Sequence, residues 1–427
     1  MTEQKEKAIL VGVQLKNADE HDFDYSMGEL GELAEACDVE VAGMMSQKLD
    51  RVNPSHYIGT GKIQELSAMR EALEADTIIF DDELSPSQIR NLEKDLECKV
   101  IDRTMLILDI FARRAKTKEA QLQVEVARLQ YMLPRLVGLR ASLSRQGGAG
   151  AGGVANRGAG ETKLELDRRK IEDKMAAMNK ELASLVSKRE VQRRQRKKNE
   201  LPVVSLVGYT NAGKSTIMNS MLETFNKTEA KQVFEKDMLF ATLDTSIRSI
   251  RQPDQKEFLL TDTVGFVQKL PHHLVKAFRS TLEEAADADL LIHVVDFSNP
   301  NYSQLIETTK ETLDSIGVKE VPTIYAYNKA DQAGVEFPRV ENDRVIMSAK
   351  QKIGIDELTA LIREHIFKDY VTCTMRIPFE RGEVVSYLNE HAHVQQTEYE
   401  ADGTLLTMEC KKADFERYRE FVVEQEQ

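Results

Sequence analysis

The sequence predicts an α/β protein, and three observations carry that prediction. Short apolar runs alternate with helical patterns over residues 7–100, which implies a parallel sheet. A strand–glycine loop–helix pattern at 201–220 opens a doubly wound domain. Two heptad segments between these regions describe a long helical arm. The chain has 427 residues, enough for about three domains. Four boundaries follow: an N-terminal α/β subdomain at 1–110, a helical hairpin arm at 111–199, a doubly wound domain at 200–367 and a small α+β domain at 368–427.

In the first part, "AILVGVQL", "VEVAGMMS" and "TIIFDD" read as strands. "MGELGELAEAC", "KIQELSAMREALEA" and "PSQIRNLEKDLE" read as helices. "YIGTGK" (57–62) resembles half a phosphate loop but lacks the distal glycine and the hydroxyl after Lys62, so it is expected to be a turn opening a helix. Leu122, Val126, Leu129, Leu133, Leu136 and Leu143 then follow heptad spacing, broken at Arg140, with Pro134 expected to kink the helix. Leu164, Ile171, Met175, Met178, Leu182 and Leu185 carry the seam onward, so the two helices are expected to run antiparallel. The second, over about 162–198, spans roughly 55 Å at 1.5 Å per residue. It ends in the basic run "SKREVQRRQRKKNE".

Between the two heptad segments lies "GGAGAGGVANRGAG" (147–160). No lysine and hydroxyl follow its last glycine: Gly160 precedes Glu161 and Thr162. It is therefore not a phosphate loop but the tip of the arm, with Thr162 placed to cap the second helix through Glu165. Small residues suit a backbone that enters a crowded cavity; a flexible linker is the alternative.

Net charge is −13, yet residues 101–200 hold 23 Lys and Arg against 12 Asp and Glu, and the remainder holds 35 against 59. A basic element is thus presented to a polyanion by an acidic body. No apolar run approaches the roughly 18 residues of a membrane span. The start "MTEQKEKAIL" lacks the apolar stretch of a signal peptide. Four separated cysteines are expected to stay reduced, in the cytoplasm.

The chemistry sits in "LPVVSLVGYTNAGKSTIMNS". Gly208, Tyr209, Thr210, Asn211, Ala212, Gly213, Lys214, Ser215 and Thr216 fit the P-loop pattern, whose backbone amides face the α and β phosphates. Lys214 is expected to reach the β/γ oxygens and the Ser215 hydroxyl to bind Mg²⁺. In "LLTDTVGF", Asp262 is placed to hold Mg²⁺ through water; Thr263 and Val264 follow, and the Gly265 amide is placed to sense the γ phosphate. In "IYAYNKAD", Asp331 accepts from guanine N1 and N2 while Asn328 and Lys329 support the base. In "VIMSAK", Ser348, Ala349 and Lys350 complete the base loop, with the Ala349 amide expected on guanine O6. Four motifs in order, each at a strand's carboxyl end, indicate a P-loop GTPase domain with GTP as substrate. Thr242 in "LFATLD" is the first choice to close over Mg²⁺ and the γ phosphate, and Thr245 the second. Phe266 stands where a water-orienting glutamine is found in Ras-like enzymes, so intrinsic hydrolysis is expected to be slow. Asn211 raises the expectation of a K⁺ ion near the β/γ oxygens, against a merely loop-stabilising role.

The set "GGAGAGG…RGAGETKLELDRR", "GYTNAGKST", "LFATLD", "DTVGF", "NKAD" and "SAK" resembles the HflX family of ribosome-associated GTPases. The resemblance implies binding to the large (50S) ribosomal subunit and, in bacteria, separation of stalled 70S ribosomes into subunits. The insertion "GAGGVAN" before "RGAGE" lengthens the tip relative to the family pattern. A GTP-regulated large-subunit assembly factor that binds rRNA without splitting ribosomes is the alternative. A signalling GTPase with a protein-binding coiled coil fits the basic arm less well. A monomer is expected. Residues 370–427 read strand, helix, strand, strand, helix, turning at Asp402-Gly403. His391 and His393 lack partners at metal spacing, so this part is expected to be a docking module.

Overall fold

The computed structural model describes residues 5–16, 19–146, 155–198, 201–225, 239–240, 245–254, 256–269 and 285–425, with backbone alone at 136–146, 155–164, 188–198 and 424–425. It divides into two compact units. The first comprises 1–195 with 236–244 and 264–283; the second comprises 196–235, 245–263 and 284–427.

The first unit opens with β1 (Lys7–Leu15), α1 (Glu20–Ala36), β2 (Glu40–Leu49), α2 (Thr60–Leu73), β3 (Thr77–Phe80), α3 (Pro86–Leu96), β4 (Lys99–Asp102) and α4 (Arg103–Arg114). The sheet is wholly parallel, in the order β2-β1-β3-β4. Central β1 is covered on both faces, which explains its unbroken apolar run. The "GTGK" turn opens α2, as expected. Ser85 and Gln88 form a capping box at α3, with Pro86 in its first turn.

Strand β4 and helix α4 were not expected as separate elements. Their sequence, "KVIDRTMLILDIFARR", joins two apolar stretches with no punctuating glycine or proline between them. The break comes from Asp102, whose side chain caps α4 by accepting from the Met105 amide at 2.9 Å. The next residue, Arg103, is 1% exposed. Its guanidinium reaches Glu29 and Asp81, each at 2.6 Å, and the Ser26 carbonyl at 2.7 Å. One buried cation thus joins α1, the end of β3 and α4.

The arm follows as α5 (Lys118–Gln146) and α6 (Ala155–Lys198). Two ion pairs set their direction. Lys118 pairs with Glu181, and seven residues on Glu125 pairs with Lys174 at 2.7 Å, seven residues back. That register is antiparallel. Along α6 the seam positions Ile171, Met175, Met178, Leu182 and Leu185 are half-buried, as a single facing helix demands. The first half of α5 differs from expectation. Its buried face is Ala120, Val124, Ala127 and Tyr131, turned toward α3 and α4, while Leu122 and Leu129 are only half-buried. The sheet domain, not the partner helix, covers this face; Tyr131 and Arg135 also donate to Asp102, Arg135 at 3.4 Å. Helix α6 begins at Ala155, seven residues before the expected start, so Thr162 lies inside it and not at its N-terminus. An anchored helix extends upstream without a second nucleation cost. Tip residues 147–154 lie outside the described residues.

The second unit holds β5 (Val203–Gly208), α7 (Lys214–Phe225), β6 (Ser246–Arg251), β7 (Glu257–Asp262), β8 (Leu290–Asp296), α8 (Tyr302–Ser315), β9 (Thr323–Asn328), α9 (Ala330–Ala333), β10 (Arg339–Glu341), β11 (Arg344–Ile346) and α10 (Ile355–Ile366). Its sheet runs β10-β11-β9-β8-β5-β7-β6. The five strands from β11 to β7 are parallel and β10 and β6 are antiparallel edges. The chain closes with β12 (Tyr370–Ile377), α11 (Gly382–His391), β13 (His393–Tyr399), β14 (Thr404–Lys411), α12 (Lys412–Arg417) and β15 (Val422–Gln425), forming the antiparallel sheet β13-β14-β12-β15. The last expected helix is only six residues long. Val422 and Val423 form a strand on the free edge of β12 instead, where β-branched residues pack well. Among the described residues no helix is long and apolar enough to cross a membrane.

Replacing Arg103 with Met removes the buried cation from Glu29 and leaves Asp81 to Lys269 alone. We expect the first unit to lose about 3–5 kcal/mol of stability, read by urea unfolding; a loss under about 1 kcal/mol contradicts the central role of this cation.

Candidate nucleotide site

The site is built on the carboxyl ends of β5, β7 and β9. Apolar Val204, Leu206 and Val207 bury β5 in the sheet, and the chain then turns sharply at Gly208. Gly208 has φ +142°, and a Cβ there would stand 2.3 Å from the Val294 carbonyl oxygen of β8. Gly213 has φ +96°, and a Cβ there would stand 2.2 Å from Asn328 Nδ2. Both glycines of the loop are thus fixed by close approach as well as by backbone conformation. Asn211 also adopts a left-handed conformation, φ 59°, which asparagine tolerates. Tyr209, Thr210 and Ala212 are buried, and Ser215 and Thr216 enter the first turn of α7.

Lys214 folds back over this loop. Its Nζ donates to the carbonyls of Gly208 at 3.0 Å and Tyr209 at 2.7 Å. Burial pushes its pKa down to about 8, against the opposing pull of Asp262. Ser215 Oγ donates to Asp262 Oδ2 at 2.6 Å. A hydroxyl and a buried carboxylate side by side form a hard oxygen donor set that fits Mg²⁺. The structure therefore brings Lys214, Ser215 and Asp262 together as expected. Thr263 plays another part: its hydroxyl donates to the Leu206 carbonyl at 2.7 Å, tying β7 to β5. Val264 and Gly265 follow in buried backbone.

Asn328 links the phosphate loop to the base loop. Its Nδ2 donates to the Ala212 carbonyl at 2.9 Å, and its Oδ1 accepts from the Ala349 amide at 2.9 Å. The Ala349 amide expected on guanine O6 thus already serves Asn328, because a buried N–H takes the acceptor at hand. Asp331 Oδ1 accepts from Ser348 Oγ at 2.6 Å, which orients the carboxylate. Lys329 has φ 62° and its Nζ pairs with Asp296 at 2.8 Å. Lys350 is exposed. Thr242 lies outside the described residues. Asn211 is exposed at the mouth of the loop.

The stretch after Gly265 was read only for what it lacks. Phe266 is 2% exposed, an anchor that packs and does not face water. Within the first unit, Lys269 pairs with Asp81 and with Asp82, the latter at 2.6 Å, and Arg103 donates to the Gln268 carbonyl at 3.4 Å. Phe240 meets Phe111 edge to face at 4.5 Å. Only the Asp81-Asp82 pair at the end of a strand hinted at this in sequence.

The depressed Lys214 pKa gives a signed prediction. Free protein loses the Lys214 proton as pH rises through about 8, whereas phosphate oxygens hold it on. Affinity for GTP should therefore fall above that pH by up to about tenfold per unit, and calorimetry in buffers of different ionisation heat should detect proton uptake. No uptake at pH 8.5–9 contradicts the placement of Lys214.

Three family models match consecutive parts of the chain: "GTP-binding GTPase N-terminal" over residues 24–112, "GTP-binding GTPase Middle Region" over 114–196 and "50S ribosome-binding GTPase" over 203–329. GTPase HflX of Caldanaerobacter subterraneus subsp. tengcongensis is 44% identical over 98% of this chain and 94% of its own length. The GTPase HflX of Alkalihalophilus pseudofirmus is 43% identical over 92% and 90%, and that of Escherichia coli 38% identical over 94% and 92%. With its motifs, its fold and its relatives in agreement, the chain is a GTP-hydrolysing enzyme and belongs to the HflX family of GTPases.

Proposed function

We propose that this GTPase binds the large (50S) ribosomal subunit and uses GTP to split or remodel stalled 70S ribosomes, acting as a cytoplasmic monomer. The observation that carries the reading is the antiparallel arm on the first unit, fixed by the Lys118–Glu181 and Glu125–Lys174 pairs. It joins a small-residue tip to the basic run at Arg193, Arg194, Arg196, Lys197 and Lys198 on α6. The matching of a ribosome-binding GTPase model to 203–329 supports the same partner. Phosphate contacts from the basic run supply salt-dependent affinity for rRNA; the tip supplies placement.

In the proposed chemistry, the loop from Gly208 to Thr216 binds the phosphates and Lys214 neutralises the β/γ oxygens. Asp331 reads guanine, while Asn328, Lys329 and the loop from Ser348 to Lys350 hold the base in place. Ser215 and Asp262 hold Mg²⁺, which supplies further positive charge at the phosphates, with Thr242 closing over it. The Gly265 amide senses the γ phosphate. Phe266 cannot orient water, so hydrolysis is slow until the ribosome orders the segment around Gly265.

The test is sedimentation of 70S particles with the protein and GTP. The parent protein should release 50S and 30S subunits, and GTP turnover should rise with 50S. Shortening 147–160 to a four-residue turn should cut splitting by roughly tenfold or more and leave GTP affinity intact, because the tip places and does not bind nucleotide. Equal splitting by the shortened protein contradicts the role of the tip. Binding to 50S without any splitting by the parent would establish the assembly-factor alternative instead.

A further inference from the structure

The turn between β6 and β7 (residues 252–256) lies at the end of this strand pair remote from the nucleotide, and it is gripped. The Gln252 amide donates to the Lys256 carbonyl at 2.9 Å. The Lys256 side chain is 5% exposed, which is rare for lysine and demands a partner. Its Nζ lies 2.5 Å from Glu409 Oε1 on β14, 5.3 Å from the ring centre of Phe367 and 5.0 Å from that of Tyr370. The two rings meet edge to face at 5.4 Å. Asp254, on the same turn, accepts from Arg363 of α10 at 2.6 Å. A buried ammonium with Glu409 close by, Asp254 Oδ2 at 3.8 Å and two ring faces is a specific joint.

The other end of the strand pair is the nucleotide end. In register, Ser246 of β6 faces Asp262 of β7, and Arg251 faces Glu257. Asp262 touches Ser215, and Thr245 directly precedes β6. Among the described residues β6 is an edge strand, bonded to β7 alone. In GTPases the segments beside such an aspartate are ordered by the γ phosphate and released on hydrolysis. A hydrogen-bonded pair of six-residue strands, about 20 Å long, with β7 also bonded to β5, thus spans from the Asp262 end to the Lys256 end.

We propose that Lys256 is a positioning residue that makes the C-terminal domain (β12–β15) report the nucleotide state: it couples the β6–β7 strand pair to Glu409 and the Phe367–Tyr370 pair. The proposal requires only the GTPase activity. It does not depend on the ribosomal reading, and its test contains no ribosome.

The experiment is hydrogen exchange of the full chain with GDP or with a non-hydrolysable GTP analogue. In the parent, amides of 404–411 and 367–372 should differ between the two nucleotides by about threefold or more, as local opening there is biased through the strand pair. Lys256→Met keeps the stem and removes the charge. It should abolish the difference at 404–411 while the difference at 246–262 persists, and Lys256→Arg should restore it. If Lys256→Met fails to bind nucleotide, Glu409→Gln, which weakens the same pair from the other side, should give the same loss. Identical exchange of the parent's C-terminal domain in both nucleotides overturns the proposal. So does a difference that survives in Lys256→Met or, where that variant does not bind, in Glu409→Gln.

Discussion

The two hydrogen bonds of Asn328 are the constraint on which the nucleotide site depends. One holds the Ala212 carbonyl of the phosphate loop and the other the Ala349 amide of the base loop. The side chain is 3% exposed, so both bonds form away from water, where leaving either partner unsatisfied is costly. Asn328 also packs so closely on Gly213 that no side chain fits there. Phosphate-binding and base-reading loops, more than a hundred residues apart in the chain, therefore cannot shift independently. The geometry of Lys214, Ser215, Asp331 and Ser348 follows from that bond pair.

Around it the chain uses buried charge as fasteners. Arg103 joins α1, β3 and α4 in the first unit. Lys256 joins the β6–β7 turn to β14 in the second. Each is nearly inaccessible to water and each has carboxylates in reach. Such groups are costly to break and need not add stability over an apolar core. What they do provide is a unique geometry, which an enzyme whose phosphate and base loops must stay in register can use.

The site was largely legible in the sequence because its parts are local. A phosphate loop is a backbone conformation written in consecutive residues, and Gly208, Gly213 and Lys214 state it directly. Asp262 and Asn328 are legible because each ends an apolar strand. The fasteners were not legible, because Arg103 meets Glu29 and Asp81, and Lys256 meets Glu409, only after the chain has folded. The same reason hides α4, whose start is set by the Asp102 cap with no glycine or proline to mark it. It also hides the true face of α5, where the heptad pattern and the face turned to α3 and α4 differ at Leu122 and Val124. The final strand was misread because "FERYREFVVEQ" carries helix formers up to the point where an open sheet edge decides otherwise.

The most direct test of this account is the nucleotide affinity of Asn328→Ala, measured by fluorescence titration with GDP and GTP. The substitution leaves Lys214, Ser215, Asp262 and Asp331 in place and removes the link between the loops together with Asn328's own support of the base. Two lost buried hydrogen bonds predict a drop of about a hundredfold for both nucleotides, with the thermal unfolding of the first unit unchanged. Affinities within about twofold of the parent would contradict the claim that one side chain holds the two halves of the site together.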